Sequence, residues 1–192
     1  LNIVEGGIFT ILDNRLQKIS NYSEKKELKI IALVHDKSKF NYPNIEYIAF
    51  PKSKKYWLYR LYYEYFFFKK ISKKIKPDVW LSLHDVSTNV VAEKQFVYCH
   101  HPTIFYKPSL RDWKFDYKIG VFSLFYKYLY QKNIHKNEAV FVQQHWIKKE
   151  FEKRFHIQNV VVCKPEIVPF LEQKEIDLED SKIHFFYPLI GR

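Results

Sequence analysis

The sequence predicts an α/β domain, doubly wound around a mainly parallel sheet. Two observations predict it. Short apolar runs rich in β-branched residues alternate along the chain with longer segments of helical periodicity. Several of those runs are apolar throughout, as strands buried on both faces of a parallel sheet are, and they stop at glycine, proline or polar pairs. With 192 residues, 47% of them hydrophobic, the chain is long enough to bury a core.

The elements follow in order. Residues 1–4 read as the remnant of a first strand, and Glu5-Gly6-Gly7 then leads into a helix with Ile8, Ile11, Leu12, Leu16 and Ile19 on one face. A strand running into a glycine pair at a helix start opens a βαβ unit. Residues 28–34 (LKIIALV) form the next strand, and residues 45–50 a weaker one ending at Pro51. Residues 54–76 are a long helix stopped by Pro77, and residues 79–83 a strand after the turn Lys76-Pro77-Asp78. A strand at 95–99, an aromatic-rich helix at 117–133, a strand at 139–143, a helix at 145–155 and a strand at 159–163 complete the series. No internal repeat is evident.

Residues 166–181 are acidic, contain Pro169 and show little periodicity, which marks a linker. Beyond them KIHFFYP, with a strand at 183–187, reads as the opening of another domain. The expected organisation is a sheet domain at 1–165, a linker at 166–181 and the start of a second domain at 182–192. The lack of methionine and the opening on Leu1 add the expectation that the initiator, and with it any internal modified residues, is missing from the sequence. The strand cut short before Arg192 adds that of a piece of a longer chain.

Charge narrows the partners. Lys and Arg number 32 against 21 Asp and Glu, a net charge of +11, which favours nucleic acid, anionic lipid headgroups or a phosphorylated substrate. Cys99 and Cys163 are too few for a disulfide framework or a thiolate-rich zinc site, and favour a reducing, cytoplasmic setting. No apolar stretch approaches the roughly 18 to 20 residues that span a bilayer, and the start lacks a signal-peptide layout.

In open α/β sheets ligands bind beyond the carboxyl ends of the strands. This rule selects Gly6 and Gly7, His35 and Asp36, His84 and Asp85, Cys99 to Pro102, and Gln143 to His145. The glycine pair lets a phosphate or sugar approach backbone at a helix N-terminus, or is a plain tight turn. At Cys99-His100-His101 a metal site and a thiol nucleophile both suffer from strand alternation, which turns adjacent side chains to opposite faces. A histidine just past a strand end can instead hold an anion or a sugar hydroxyl; the plain alternative is a bond to loop backbone.

The segment 54–76 (KKYWLYRLYYEYFFFKKISKKIK) carries aromatic residues nearly all round, with lysines at both ends. Trp57, Lys54, Lys55, Lys69 and Lys70 fit contact with an anionic membrane surface, where rings suit the headgroup layer. The competing readings are a helix covered by a second domain and, less favoured, nucleic-acid binding.

Together the Gly-Gly start, PDVWLSLHD, FVYCHHPTIFYKP, NEAVFVQQHWIKKEF and the closing FFYP resemble the family-four, GT-B-type glycosyltransferases, particularly those of bacterial surface-polysaccharide synthesis. The resemblance implies the Rossmann-like, N-terminal, acceptor-side half of a GT-B fold. It implies transfer of a sugar from a nucleotide-sugar donor to a glycan or lipid-linked acceptor, with retention, no required metal and no cofactor. The family's histidine after the corresponding strand falls on His100 or His101, and His100 is the preferred catalytic residue. Gly6, Gly7, His84, Asp85, His101, Gln143 and His145 are then substrate-binding candidates. The family's donor-binding residues belong to its C-terminal half, so residues 1–192 are expected to be inactive alone, and the enzyme to be cytoplasmic at the inner membrane face. The principal alternative is a non-catalytic membrane-binding module.

Overall fold

The computed structural model describes residues 7–26, 28–55, 57–100, 102–106, 109, 114 and 117–164. The expected strand at 1–4, the linker at 166–181 and the strand at 183–187 lie outside the described residues.

The elements alternate as expected. Helix α1 (Gly7–Lys26) leads to β1 (Ile30–Val34), and β2 (Ile45–Ala49) follows. Next come α2 (Lys52–Lys55) and then α3 (Trp57–Tyr62), which continues through a π-helical turn (Tyr63–Phe67) into α4 (Phe68–Ile75). Then come β3 (Val79–Ser82), β4 (Lys94–Cys99), α5 (Tyr117–Asn133), β5 (Ala139–Val142), α6 (His145–Phe155) and β6 (Val160–Val162).

Every strand pairing among the described residues is parallel. One continuous sheet was expected; the described residues form two. β1 pairs with β2, and a four-stranded sheet runs in the order β3-β4-β5-β6. The parallel α/β architecture therefore stands, while double winding about a single sheet is not displayed by the described residues.

The larger core lies on the four-stranded sheet. Val97, Val140 and Val142 are fully buried in the two central strands, against Ile147, Phe151 and Phe155 of α6. Those three α6 residues recur at i, i+4 and i+8, one stripe of an amphipathic helix. A smaller cluster joins Leu16 of α1 to Ala32 and Val34 of β1 and to Phe40 and Ile45.

The helix expected over 54–76 is broken by its π turn, for a reason visible in its neighbours. The wide turn brings two consecutive residues, Glu64 and Tyr65, into the interior. Carbonyls displaced from the regular ladder need other donors. Asn89 supplies two: its backbone N–H reaches Glu64 O at 3.0 Å and its side-chain amide reaches Tyr65 O at 3.0 Å. Tyr65 in turn donates to Leu129 O on α5 at 3.1 Å. The stretch ends at Lys76, left-handed at φ 50°, because the following Pro77 disfavours a right-handed helical residue before it.

Phe151 is fully buried and packs edge-to-face against Phe105, Tyr130 and Phe155. Phe151→Ala should therefore cost about 3–5 kcal/mol in urea denaturation. The exposed Phe66→Ala should change stability by no more than about 0.5 kcal/mol.

Candidate functional site

The carboxyl ends of β1, β3, β4 and β5 carry His35-Asp36, His84-Asp85, His100 and Gln143-Gln144-His145 respectively. These are the positions singled out in the sequence, and the fold places three of them side by side. β3 neighbours β4 and β4 neighbours β5, with Cys99 opposite Val142, so His100 and Gln143 each lie one residue past a paired position.

The loop leaving β3 is fixed by buried polar contacts. Ser82 Oγ and Thr88 Oγ1 lie 2.9 Å apart, Gln95 Nε2 donates to Thr88 O at 2.6 Å, and Asn137 Nδ2 donates to Ser87 Oγ at 2.8 Å. Ser87 and Thr88 are each 1% exposed, so the loop is held like core. Asp85 within it has φ 66°, a conformation that aspartate tolerates better than most residues.

Asp85 ties β3 to β4. Its N–H donates to Tyr98 O at 3.1 Å, its carbonyl accepts from Cys99 Sγ at 3.3 Å, and Oδ1 accepts the His100 N–H at 2.7 Å. The His100 ring sits with Nε2 3.4 Å from Asp85 Oδ2, and its side chain is 4% exposed. His100 is thus a histidine clamped by a carboxylate at a strand end, rather than one lying open on the surface. Burial, then Asp85, pushes the Cys99 thiol well above its ordinary range, so it is a poor nucleophile. Burial and the same carboxylate raise the Tyr130 phenol. Among the described residues no group of three or more His, Cys, Asp and Glu is arranged to hold a metal ion.

His84 belongs to a second cluster that was not read from the sequence. Glu64 Oε1 accepts from Arg60 Nε at 2.8 Å and lies 2.6 Å from His84 Nε2, while Arg60 also reaches His84 O at 3.4 Å. Burial alone would raise the Glu64 carboxyl, but His84 and then Arg60 more than offset it, and the pKa falls. Burial lowers the His84 pKa against the pull of Glu64. We therefore assign neutral His84 with its proton on Nε2, donating to an ionised Glu64 and leaving Nδ1 as an acceptor. A signal for this cluster was present: Arg60 and Glu64 are an i,i+4 pair of opposite charge inside an otherwise aromatic stretch.

The remaining candidates are spread more widely. Gly7 begins α1; Gly6 and His101 lie outside the described residues. Asp36 is occupied locally, accepting from Ser38 N at 2.9 Å and Ser38 Oγ at 2.8 Å, which lowers its pKa. Gln143 is half-buried and His145 exposed, with Gln144 as the cap residue of α6 and as acceptor for the Trp146 indole N–H. Lys69 and Lys70 are exposed on α4, while the side chains of Lys54, Lys55 and Trp57 lie outside the described residues.

The aromatic helix is sorted in a way composition could not show. Tyr65 enters the main core, and Tyr63, Phe67 and Phe68 surround Phe50. Leu58, Tyr59, Tyr62 and Phe66 stay outside, at 71%, 43%, 52% and 68% exposure. They recur at helical spacing and continue toward the exposed Lys69, Lys70, Lys73 and Lys74. No helix among the described residues is long and apolar enough to cross a membrane.

With this geometry in place, comparison with protein-family models, with curated proteins and with solved structures finds no match.

The buried cluster makes stability depend on pH with a defined sign. His84 has its folded pKa below the ordinary 6.5, so as pH falls below that value protons bind the unfolded chain first and stability drops. Glu64, lowered from 4.5, loses its contribution at still lower pH. Urea midpoints should decline from pH 7 to 5, and His84→Gln should flatten that decline. Glu64→Ala, which leaves Arg60 without its counter-charge, should cost about 3–5 kcal/mol at pH 7.

Proposed function

We propose that this chain is the acceptor-side part of a glycosyltransferase that moves a sugar from a nucleotide-sugar to a glycan or lipid-linked acceptor at a membrane surface. The observation that carries the reading is the row of polar strand ends, His84-Asp85, His100 and Gln143-His145, side by side on a parallel sheet. Parallel α/β sheets bind ligands at that edge. The sequence resemblance supplies the chemistry, and the finer assignment to a GT-B half rests on it.

The groups at this edge suit such a transfer. Negative charge builds on the leaving diphosphate as the sugar departs, and donors fixed in advance around it lower the barrier. His100, whose orientation Asp85 sets, is our candidate for contact with the sugar or phosphate. His84 Nδ1, as an acceptor, fits a sugar hydroxyl. The first turn of α6, opening at His145, offers backbone N–H groups toward an anion. No step needs a metal ion in this scheme.

The membrane part of the proposal rests on the exposed row Leu58, Tyr59, Tyr62 and Phe66 beside four exposed lysines. Rings of this kind enter the headgroup layer, and lysines near an anionic surface contribute about 1 kcal/mol each. A lipid-linked acceptor would be met at that same surface.

Two experiments test the proposal. In the full-length gene product, sugar transfer to membrane lipid should fall about 100-fold or more in His100→Ala, and about 10-fold in His84→Ala, with donor affinity little changed. Near-normal rates in both would remove these residues from the site. Cosedimentation with vesicles containing phosphatidylglycerol should be strong and salt-sensitive, and Tyr62→Ser with Phe66→Ser should weaken it about tenfold. Equal binding by the double variant would exclude the aromatic row as the contact.

A further inference from the structure

Helix α6 carries one residue that its packing does not explain. Ile147, Phe151 and Phe155 form the stripe buried on the sheet, and every other residue of the helix except Trp146 is histidine or charged. Trp146 stands about 100° round the axis from Ile147, off that stripe, and is 46% exposed. On the polar side of an amphipathic helix its ring contributes little of the burial that stabilises a fold.

The ring is nevertheless held. Its indole N–H donates to Gln144 Oε1, and it meets Phe105 edge-to-face with centroids 5.9 Å apart and planes at 70°. Phe105 is anchored in turn: its ring packs on the buried Phe151 at 5.5 Å, and the Arg154 guanidinium lies 4.9 Å from its centroid. Arg154 also donates to Ile104 O at 2.6 Å, which ties the short turn Pro102–Phe105 to α6. An edge-to-face neighbour covers at most one face of the indole and leaves the other to solvent. A ring already fixed loses little freedom when a ligand settles on it.

The place of this ring in the fold gives it a use. Phe105 follows His100 in the loop leaving β4, and Trp146 follows Gln143 in the first turn of α6. His100 and Gln143 leave neighbouring strands side by side, so the Phe105–Trp146 contact bridges the two strand-end loops at the edge that holds the polar candidates. The chain neighbours of Trp146 are polar as well: Gln143 is half-buried, and Gln144 and His145 are exposed. A flat apolar face with hydrogen-bonding groups beside it matches a pyranose, which carries C–H groups on the faces of its ring and hydroxyls around the rim. Polarised C–H groups are drawn to the electron-rich face of an indole.

We propose that Trp146 is a specificity-determining residue that stacks a pyranose ring of the acceptor on its open face, with Gln143 and His145 taking hydroxyls at the rim. The inference rests on the reading of this edge as a glycosyl-acceptor site and adds to it the group that holds the sugar ring in place.

Two measurements on the full-length gene product test it. In protein labelled with 5-fluorotryptophan, the Trp146 fluorine resonance is assigned by its loss in Trp146→Phe. Titration with glucose, galactose, mannose and N-acetylglucosamine should shift that resonance saturably for at least one of them. Sorbitol, which has the hydroxyls without the ring, should leave it in place. No shift with any of these pyranoses, or an equal shift with sorbitol, would overturn the proposal. A shift with uridine or guanosine monophosphate alone would overturn it too, by making the ring a platform for a base. In sugar transfer to a lipid diphosphate carrying one sugar, Trp146→Ala should raise the acceptor KM about tenfold with a smaller change in kcat, and Trp146→Tyr should recover to within about threefold of the native value. Transfer with an unchanged acceptor KM in Trp146→Ala would remove Trp146 and leave the transferase reading standing. A saturable pyranose shift without any transfer would keep the sugar platform and remove the transferase reading.

Discussion

Asp85 is the constraint on which the arrangement of the strand ends depends. One residue accepts or donates at every polar atom it has toward β4: N–H to Tyr98, carbonyl from Cys99, carboxylate from His100. Its positive φ belongs to this geometry, in a loop that continues beside β4 past the last paired residues, Ser82 and Val97. That conformation persists because the loop beyond it, from Val86 to Thr88, is anchored as firmly as the core. His100 inherits its position from Asp85, and so does the environment that keeps Cys99 protonated.

The helical stretch before β3 shows a second dependence. The π turn falls where two consecutive residues, Glu64 and Tyr65, both face the interior. Asn89 satisfies the carbonyls it frees, and Glu64 meets His84. A buried ionised carboxylate is costly by itself, and the two bonds from Arg60 and His84 offset that cost. The cluster thus links the exposed aromatic row, on the outside of the same helix, to the strand ends at its inner side.

Much of this was legible from residue pattern. The α5 and α6 spans agree with the sequence reading at both ends, and every strand expected within the described residues is present to within two residues. Periodicity decides such elements because burial on a sheet imposes it. Two things were not legible. The break in the aromatic helix depends on Asn89, more than twenty residues away in sequence. The burial of His100 depends on the carboxylate of Asp85, and a histidine after a strand reads the same whether open or clamped. The aromatic residues were likewise correctly noticed, yet only packing separates Tyr65, a core residue, from Phe66 beside it, which is not.

The central claim is that the edge formed by β3, β4 and β5 meets the acceptor. The most direct measurement is photo-crosslinking of the full-length gene product, in membranes, with a benzophenone-bearing lipid diphosphate that carries one sugar, followed by peptide mapping. The account predicts label on the segments 83–90, 102–106 and 143–147, which surround His84, His100 and His145. Label confined to the outer face of α1 or of α6, with none on those three segments, would contradict it.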